Sequence, residues 1–141
     1  MKTVLVPVDG SESATRAVAW VARVLAGTAD ARVHLVNVQP QVDAWEVRSH
    51  LGEDDIAKFH ENGSKAVLEP AAEVLRAAGV PVDVHALVGD IAEQIAGTVT
   101  STGADSVVMG TRGLGRIQSL LVGSTAMKVI HVVDVPVTLI K

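Results

Sequence analysis

The stretch GTRGLGRIQSLLVGST, residues 110–125, places four glycines in sixteen positions between an apolar run and a predicted helix. Glycine is costly to order, so this density indicates that the chain needs bare backbone here rather than side chains. The preceding run DSVVMG, residues 105–110, is typical of a buried strand. Gly110 and Gly113 therefore lie where the chain leaves a sheet, and their missing side chains would let amide groups face a ligand closely.

The end of this stretch predicts the start of a helix. Gly123, Ser124 and Thr125 open the helical pattern, and the unpaired amides and positive dipole end of a helix N-terminus suit a phosphate. Arg112 and Arg116 could offset phosphate charge. The spacing is neither that of the dinucleotide fingerprint nor that of the phosphate loop. From the residues alone, an anion site and a flexible linker before an ordinary glycine–serine helix start both stay open.

Strands and helices alternate through the rest of the chain. Short β-branched runs separated by alanine-rich helical patterns predict an α/β fold, a five-stranded parallel sheet with helices on both faces. Ser11 and Ser13 are predicted helix caps, and Asp90 lies at capping-box spacing from Glu93. The predicted strands are 3–8, 32–38, 82–88, 105–110 and 135–140, and the predicted helices are 11–27, 65–79, 89–101 and 125–133.

One segment interrupts the alternation. Residues 39–63 are polar and mixed in charge, which is typical of a solvated excursion between the second strand and the second helix. Long loops in compact domains are often functional, so a lid or partner-contact segment is the alternative. Within this segment, Glu53, Asp54 and Asp55 are more typical of a solvated turn or a helix start than of a cation site.

Composition limits the classes of function. The 141 residues fit a single domain, predicted over 1–141, with one sizeable core. A formal net charge of -4, with two tryptophans and one phenylalanine as the only aromatic residues, argues against nucleic acid as a partner. The absence of cysteine excludes disulfides and cysteine-ligated metals. No signal-peptide pattern and no apolar run of roughly 18 residues is present, so we expect a cytoplasmic protein with no membrane partner.

The histidines do not predict a metal site. They form no H-x-x-x-H pair, and they are scattered over predicted strands, helices and the polar segment. The five positions are His34, His50, His60, His85 and His131.

The glycine stretch and the start of the chain together resemble a known family. The spacing G-x2-G-x9-G-[ST] after a fourth strand, and VPVDGSESATRAVAWV at residues 6–21, are similar to the universal stress protein family. Residues 110–141 resemble that family's closing signature, and the resemblance extends over essentially the entire chain. One departure, HVVDVPV at residues 131–137, concerns the last strand and not the pocket.

The resemblance implies a Rossmann-like fold of the adenine nucleotide alpha hydrolase-like type, with strand order 3-2-1-4-5. Members that carry this glycine signature bind ATP, so it also implies ATP as ligand, with Mg2+ as an accompanying ion. In this order the first and fourth strands meet at the reversal of the sheet, where open α/β sheets bind ligands. The implied binding residues are Pro7, Val8, Asp9, Val38, Met109, Gly110, Arg112, Gly113, Gly123, Ser124 and Thr125.

The resemblance also implies a role for each part of this set. Pro7 and Met109 would be apolar walls of the nucleoside pocket, and the backbone of Val38 would meet adenine. Asp9 would accept hydrogen bonds from ribose hydroxyls or help to position a metal, although in isolation it is more typical of a turn before Ser11. The residues of the glycine stretch would hold the ribose and the phosphates.

The implied function is an ATP-dependent regulatory or stress-response module, and a slow ATPase is the alternative. Phosphoryl transfer requires a cationic clamp, a well-held metal and a group that orients water. The chain offers Asp9 and two loop arginines but no phosphate-loop lysine, and Gln118 is more typical of a surface residue than of a water-orienting group. We therefore expect nucleotide binding without efficient catalysis, and we predict no catalytic residue.

The last predicted strand, residues 135–140, is apolar and leaves one edge unpaired. Pairing Val135 to Ile140 with the same strand of a second chain would remove that edge, and the resemblance implies such dimers. We therefore expect a homodimer, and the sequence indicates no other protein partner.

Overall fold

The computed structural model describes residues 1–42, 52–113 and 122–141, and within these ranges five strands alternate with four helices. In chain order the elements are β1 Thr3–Pro7, α1 Glu12–Leu25, β2 Arg32–Gln39, α2 Glu53–Ala77, β3 Val82–Val88, α3 Ile91–Thr102, β4 Ser106–Gly110, α4 Ser124–Val132 and β5 Val137–Ile140.

The strands form one parallel sheet in the order β3-β2-β1-β4-β5, which confirms the predicted fold class and strand order. β1 occupies the centre of this sheet, where Val4, Leu5 and Val6 are fully buried. The strand order reverses between β1 and β4, so the connections that leave these two strands diverge and open a crevice at the carboxyl edge.

Helices cover both faces of the sheet and divide the core into two layers. α1 and α2 pack on the face that includes Val33 and Leu35, whereas α3 and α4 pack on the face that includes Leu5 and Val36. Successive residues of a strand point to opposite faces, so a continuous apolar run supplies both layers. No helix in the described ranges is long and apolar enough to cross a bilayer.

Two helix starts follow the sequence signals. Ser11 is the N-cap of α1, and its Oγ accepts a hydrogen bond from Ala14 N at 3.3 Å. Asp90 is the N-cap of α3, and its carboxylate accepts from Glu93 N at 3.0 Å. The prediction that Ser13 caps the helix was wrong. Its hydroxyl instead donates to Arg112 O, in a distant part of the chain.

Helix α2 begins well before its predicted start at residue 65. The prediction of a solvated excursion was wrong for residues 53–63, which are helical. The first half of α2 has no buried face, so apolar periodicity could not reveal it; its acidic first turn favours a helix N-terminus. The lid alternative now concerns mainly residues 43–51, which lie outside the described residues. The buried residues of α2 all lie in its later part: Ser64, Leu68, Ala72 and Leu75.

Two histidines meet across β2 and β3. His34 Nδ1 and His85 Nε2 lie 3.0 Å apart, as in an N–H···N hydrogen bond. Burial lowers the pKa of His34, and the adjacent His85 lowers it further against the opposing effect of Asp83. Asp83 is itself bound by Arg32 at 2.6 Å. The described part of the chain contains no group of three or more ligating side chains that could hold a metal ion. The contact between His34 and His85 adds a side-chain link between the edge strand β3 and β2.

Candidate functional site

A cavity of about 440 Å³ opens at the carboxyl ends of β1, β2 and β4, at the reversal of the strand order. The fold brings residues from both ends of the chain to this cavity, including all eleven that the resemblance implies. They are Pro7, Val8, Asp9, Val38, Met109, Gly110, Arg112, Gly113, Gly123, Ser124 and Thr125.

Asp9 follows β1 and faces the glycine stretch. Its Oδ1 accepts a hydrogen bond from Ser11 N at 2.9 Å, in a turn that passes through Gly10 at a φ of +86°. Its Oδ2 lies against Gly113, because a Cβ at that glycine would come within 2.8 Å of this oxygen. Both interpretations of Asp9 are therefore compatible: one oxygen holds the turn, and the other is directed toward the glycine stretch beside the cavity.

Gly110 is a glycine for a different reason from the one that the sequence suggests. A Cβ at this position would lie 2.8 Å from Ala14 N, and closer still to Ser13 Oγ. The first turn of α1 therefore packs directly on the backbone of β4. The hydroxyl of Ser13 secures this contact by donating to Arg112 O. The missing side chain makes room for a helix, although Gly110 also lines the cavity.

Two amides of the glycine stretch are already paired within the protein. Thr111 N donates to Ile140 O at 2.9 Å, and Gly123 N donates to Thr111 O at 2.6 Å. The expectation of open amides was therefore wrong for Thr111, where the chain leaves β4, and for Gly123, at the predicted helix start. The reason is tertiary: Ile140 O of β5 accepts from Thr111 N, and Thr111 O, just after β4, accepts from Gly123 N at the start of α4.

Amides without a described acceptor lie instead in the first turn of α4. Its N-cap is Gly123, and no side chain in the described part of the chain caps the helix. The amides of Ser124, Thr125 and Ala126 have no acceptor inside a helix, and all three residues line the cavity. The positive end of the helix dipole adds to their effect. Arg112 also lines the cavity and contributes a cation, so this region can hold an anion.

The backbone of β2 supplies a second polar edge. Val8 N donates to Val36 O at 2.8 Å, whereas Gly89 N donates to Gln39 O at 3.0 Å. Successive residues of a strand direct their backbone groups to alternate neighbours, so Val36 and Val38 face β1 while Gln39 faces β3. β1 ends before the level of Val38, and no described backbone group pairs with Val38 on that side. Its N–H and C=O are therefore available at the cavity.

Sequence reasoning missed ten further residues that line the cavity. The rule that ligands bind at strand ends could have found Asn37 and Gln39, because β2 ends at the same edge. The two isoleucines of α3 come from a helix to which no motif pointed. Arg116 and Gln118, which the sequence singled out, lie outside the described residues. The ten are Ser11, Ala14, Val36, Asn37, Gln39, Pro40, Ile91, Ile95, Thr111 and Ala126.

Comparisons with known proteins extend the similarity to the whole chain. A family model for the universal stress protein family matches residues 1–141. A universal stress protein from Thermus aquaticus, encoded in the QAH/OAS sulfhydrylase 3' region, is 40% identical over 146 residues, which cover 99% of this chain and 98% of that protein.

Solved structures share the fold over nearly their full length. Hypothetical protein MJ0577 has a TM-score of 0.87 and 26% identity, with 99% of this chain and 95% of that chain covered. A universal stress protein solved in complex with cAMP has a TM-score of 0.72 and 25% identity, with 99% and 97% covered. With its sheet order, its cavity and its match over every residue, this chain belongs to the universal stress protein family.

Proposed function

We propose that this chain binds an adenine nucleotide, ATP in particular, in the cavity and acts as a nucleotide-dependent regulatory module of the cytoplasmic stress response. One observation carries the proposal: the cavity is lined both by the first turn of α4 and by Val38, and among the described residues no side chain caps that turn and no backbone group pairs with Val38 toward β1. The first feature suits phosphate, and the second suits the hydrogen-bonding edge of a base.

The phosphates would lie at the N-terminus of α4. Ser124 and Thr125 add hydroxyl donors to the amides of this turn, and Arg112 offsets negative charge. An ionised carboxylate only accepts hydrogen bonds, so Asp9 would meet ribose hydroxyls or an accompanying Mg2+ rather than the phosphates. A single protein carboxylate fits such an ion, because Mg2+ is commonly held by one or two carboxylates together with substrate phosphates and water.

The base would lie between apolar side chains at the inner part of the cavity. Pro7 and Met109 line it from the central strands, and Ile91 and Ile95 line it from α3. A universal stress protein that is 25% identical to this chain has been solved in complex with cAMP, which is an adenine nucleotide. That likeness supports an adenine nucleotide as the class of ligand.

We propose binding without efficient catalysis, with slow ATP hydrolysis in the same cavity as the second candidate. Phosphoryl transfer needs a cationic clamp, a held metal and a water-orienting group. Among the described residues that line the cavity, Arg112 is the only cation and Asp9 the only acid. The position of Asp9 Oδ2 beside Gly113 is the observation that favours the slow ATPase, since a metal held there would be close to the phosphates.

Calorimetric titration with ATP, ADP and AMP tests this function. We expect ATP to bind once per chain with a dissociation constant of roughly micromolar order. We expect turnover below about one per minute, against roughly ten per second for a median enzyme. No heat of binding with any of the three nucleotides would contradict the proposal. Rapid phosphate release that disappears in Asp9→Ala would instead establish the ATPase.

We also propose that the chain forms a homodimer through the strand predicted at Val135 to Ile140. β5 lies at the edge of the sheet, where it pairs with β4 along one side, and its four residues are half-buried. Twofold pairing would cover this apolar edge, which otherwise invites aggregation. Light scattering at micromolar concentration is expected to give twice the mass of one chain, and a single-chain mass would contradict the dimer.

A further inference from the structure

We propose that Gln39 selects the base of the bound nucleotide by presenting a fixed acceptor to the amino group of adenine. This inference rests on the proposed function and assigns a specificity role to one side chain. Gln39 lines the cavity next in sequence to Val38, whose backbone edge is free toward β1. A glutamine amide can turn over and offer either a donor or an acceptor, so its selectivity depends on what fixes its orientation.

The orientation is set first at the end of β1. Asn37 is 3% exposed, and its side-chain nitrogen Nδ2 donates to Val8 O at 2.8 Å. A backbone carbonyl can only accept a hydrogen bond. The amide of Asn37 must therefore direct its nitrogen toward Val8, which leaves its oxygen Oδ1 on the other side as an acceptor.

This acceptor then fixes its own two neighbours. Asn37 Oδ1 accepts from Ser64 Oγ at 2.9 Å and from Gln39 Nε2 at 2.9 Å. A carbonyl oxygen has two lone pairs, and both are used. The amide of Gln39 must therefore direct its nitrogen toward Asn37. Two groups remain: the second N–H of Nε2, on the nitrogen that packs against Gly63, and the oxygen Oε1, which is the acceptor that we assign to the ligand. No described residue donates to this oxygen.

Helix α2 holds the same amide in place by contact. A Cβ at Gly63 would lie 3.3 Å from Gln39 Nε2 and 3.5 Å from Gln39 Cδ, so the amide packs against the helix backbone. An acceptor that is held by packing and by a hydrogen bond is preorganised for recognition. The carbonyl of Val8, the side chain of Asn37 and the middle of α2 at Gly63 thus determine which polar group Gln39 offers.

A fixed acceptor at Gln39 Oε1 would distinguish adenine from hypoxanthine. The amino group at position 6 of adenine donates a hydrogen bond, whereas hypoxanthine carries a carbonyl oxygen there. The ring nitrogen N1 also changes from an acceptor to an N–H donor, but the backbone of Val38 would meet N1 in the same way in wild type and in a Gln39 variant. Two acceptors facing each other in a partly enclosed site leave both unpaired, which costs enough to lower affinity on the order of tenfold or more. We therefore expect the wild-type chain to bind AMP at least about tenfold more tightly than IMP.

The test compares AMP and IMP by calorimetry on three proteins. Gln39→Met keeps the length of the side chain and removes the amide, and we expect the AMP to IMP affinity ratio to fall on the order of tenfold from its wild-type value. Ser64→Ala is the matched control: it removes one donor to Asn37 and does not line the cavity, and the bond from Asn37 to Val8 still sets the orientation. This control should keep the wild-type ratio. Thermal unfolding of each variant verifies that it folds.

The outcomes separate the two proposals. If the wild-type chain binds no nucleotide, the proposed function itself is wrong. If it binds AMP and IMP equally or prefers IMP, or if Gln39→Met keeps the wild-type AMP to IMP ratio, nucleotide binding stands and the assignment of Gln39 is overturned. A ratio that collapses in Ser64→Ala as well as in Gln39→Met would also overturn it, because general loosening of the strand end would then explain both.

Discussion

Gly110→Ala is expected to lower the free energy of unfolding by about 3 kcal/mol, at the upper end of what overpacking costs. The added Cβ would stand 2.8 Å from Ala14 N and from the carbonyl carbon of Ser13. Both are backbone atoms of the first turn of α1, so no side-chain rotation relieves the clash. The helix must move away from β4 and open the core layer beneath it. Urea unfolding followed by circular dichroism measures this loss.

Gly97→Ala is the matched control for that substitution. Gly97 lies inside α3, and a Cβ there would meet nothing within 4 Å. Alanine at this position should raise the free energy of unfolding by about 0.5 to 1 kcal/mol, because glycine is the costlier residue to order in a helix. Equal stability of Gly110→Ala and wild type would show that α1 does not rest on β4 in solution.

Gly123→Val is expected to weaken ATP binding roughly 100-fold, or about 2.8 kcal/mol. A Cβ at position 123 would already lie 3.3 Å from Thr111 O and 3.5 Å from Arg112 Cα. The two methyl groups of valine would press between the segment that leaves β4 and the first turn of α4. Both segments line the cavity. The proposed phosphate-binding region would therefore widen, and the amides of the first turn of α4 would lose their alignment. Calorimetric titration with ATP measures the effect.

Gly52→Val controls for the cost of a branched residue at a helix start. Gly52 is the N-cap of α2 at φ -67° and ψ 164°, and Gly123 is the N-cap of α4 at φ -73° and ψ 163°. Within the described ranges, a Cβ at Gly52 would meet only Asp55 Oδ2, at 3.9 Å, and Gly52 does not line the cavity. This variant should bind ATP like wild type. Unchanged affinity in a folded Gly123→Val protein would remove α4 from the proposed site.

The sequence predicted the sheet well because its central strands are apolar on both faces. Val4, Leu5 and Val6 form a continuous apolar run, which is typical of a strand that is buried on both faces. The helices between the strands require parallel pairing. The first half of α2 could not be predicted in the same way. It buries nothing, so its helix follows from the acidic residues of its first turn, beginning at Glu53, and from continuity with the packed second half, which a search for apolar periodicity does not detect.

The sequence predicted which positions line the cavity better than it predicted why each residue is needed there. Glycine spacing together with the family resemblance predicted eleven residues that line the cavity, but whether a glycine makes room for a ligand or for another part of the chain depends on tertiary neighbours. Gly110 meets α1, and the amide of Gly123 is used by Thr111. Asn37 and Gln39 escaped notice for the same reason, since their partners lie on β1 and α2.

Because Gly110 contacts α1, the glycines of the motif should differ in how readily each can be substituted during evolution. A relative without the proposed nucleotide site would still need glycine at position 110, because the helix above it leaves no space. Position 113 is different: among the described residues, a Cβ there meets only the tip of the Asp9 side chain, which can turn aside or be replaced. In such relatives we expect glycine to be retained at position 110 because the fold requires it. We expect position 113 to accept other residues once ligand binding is no longer selected.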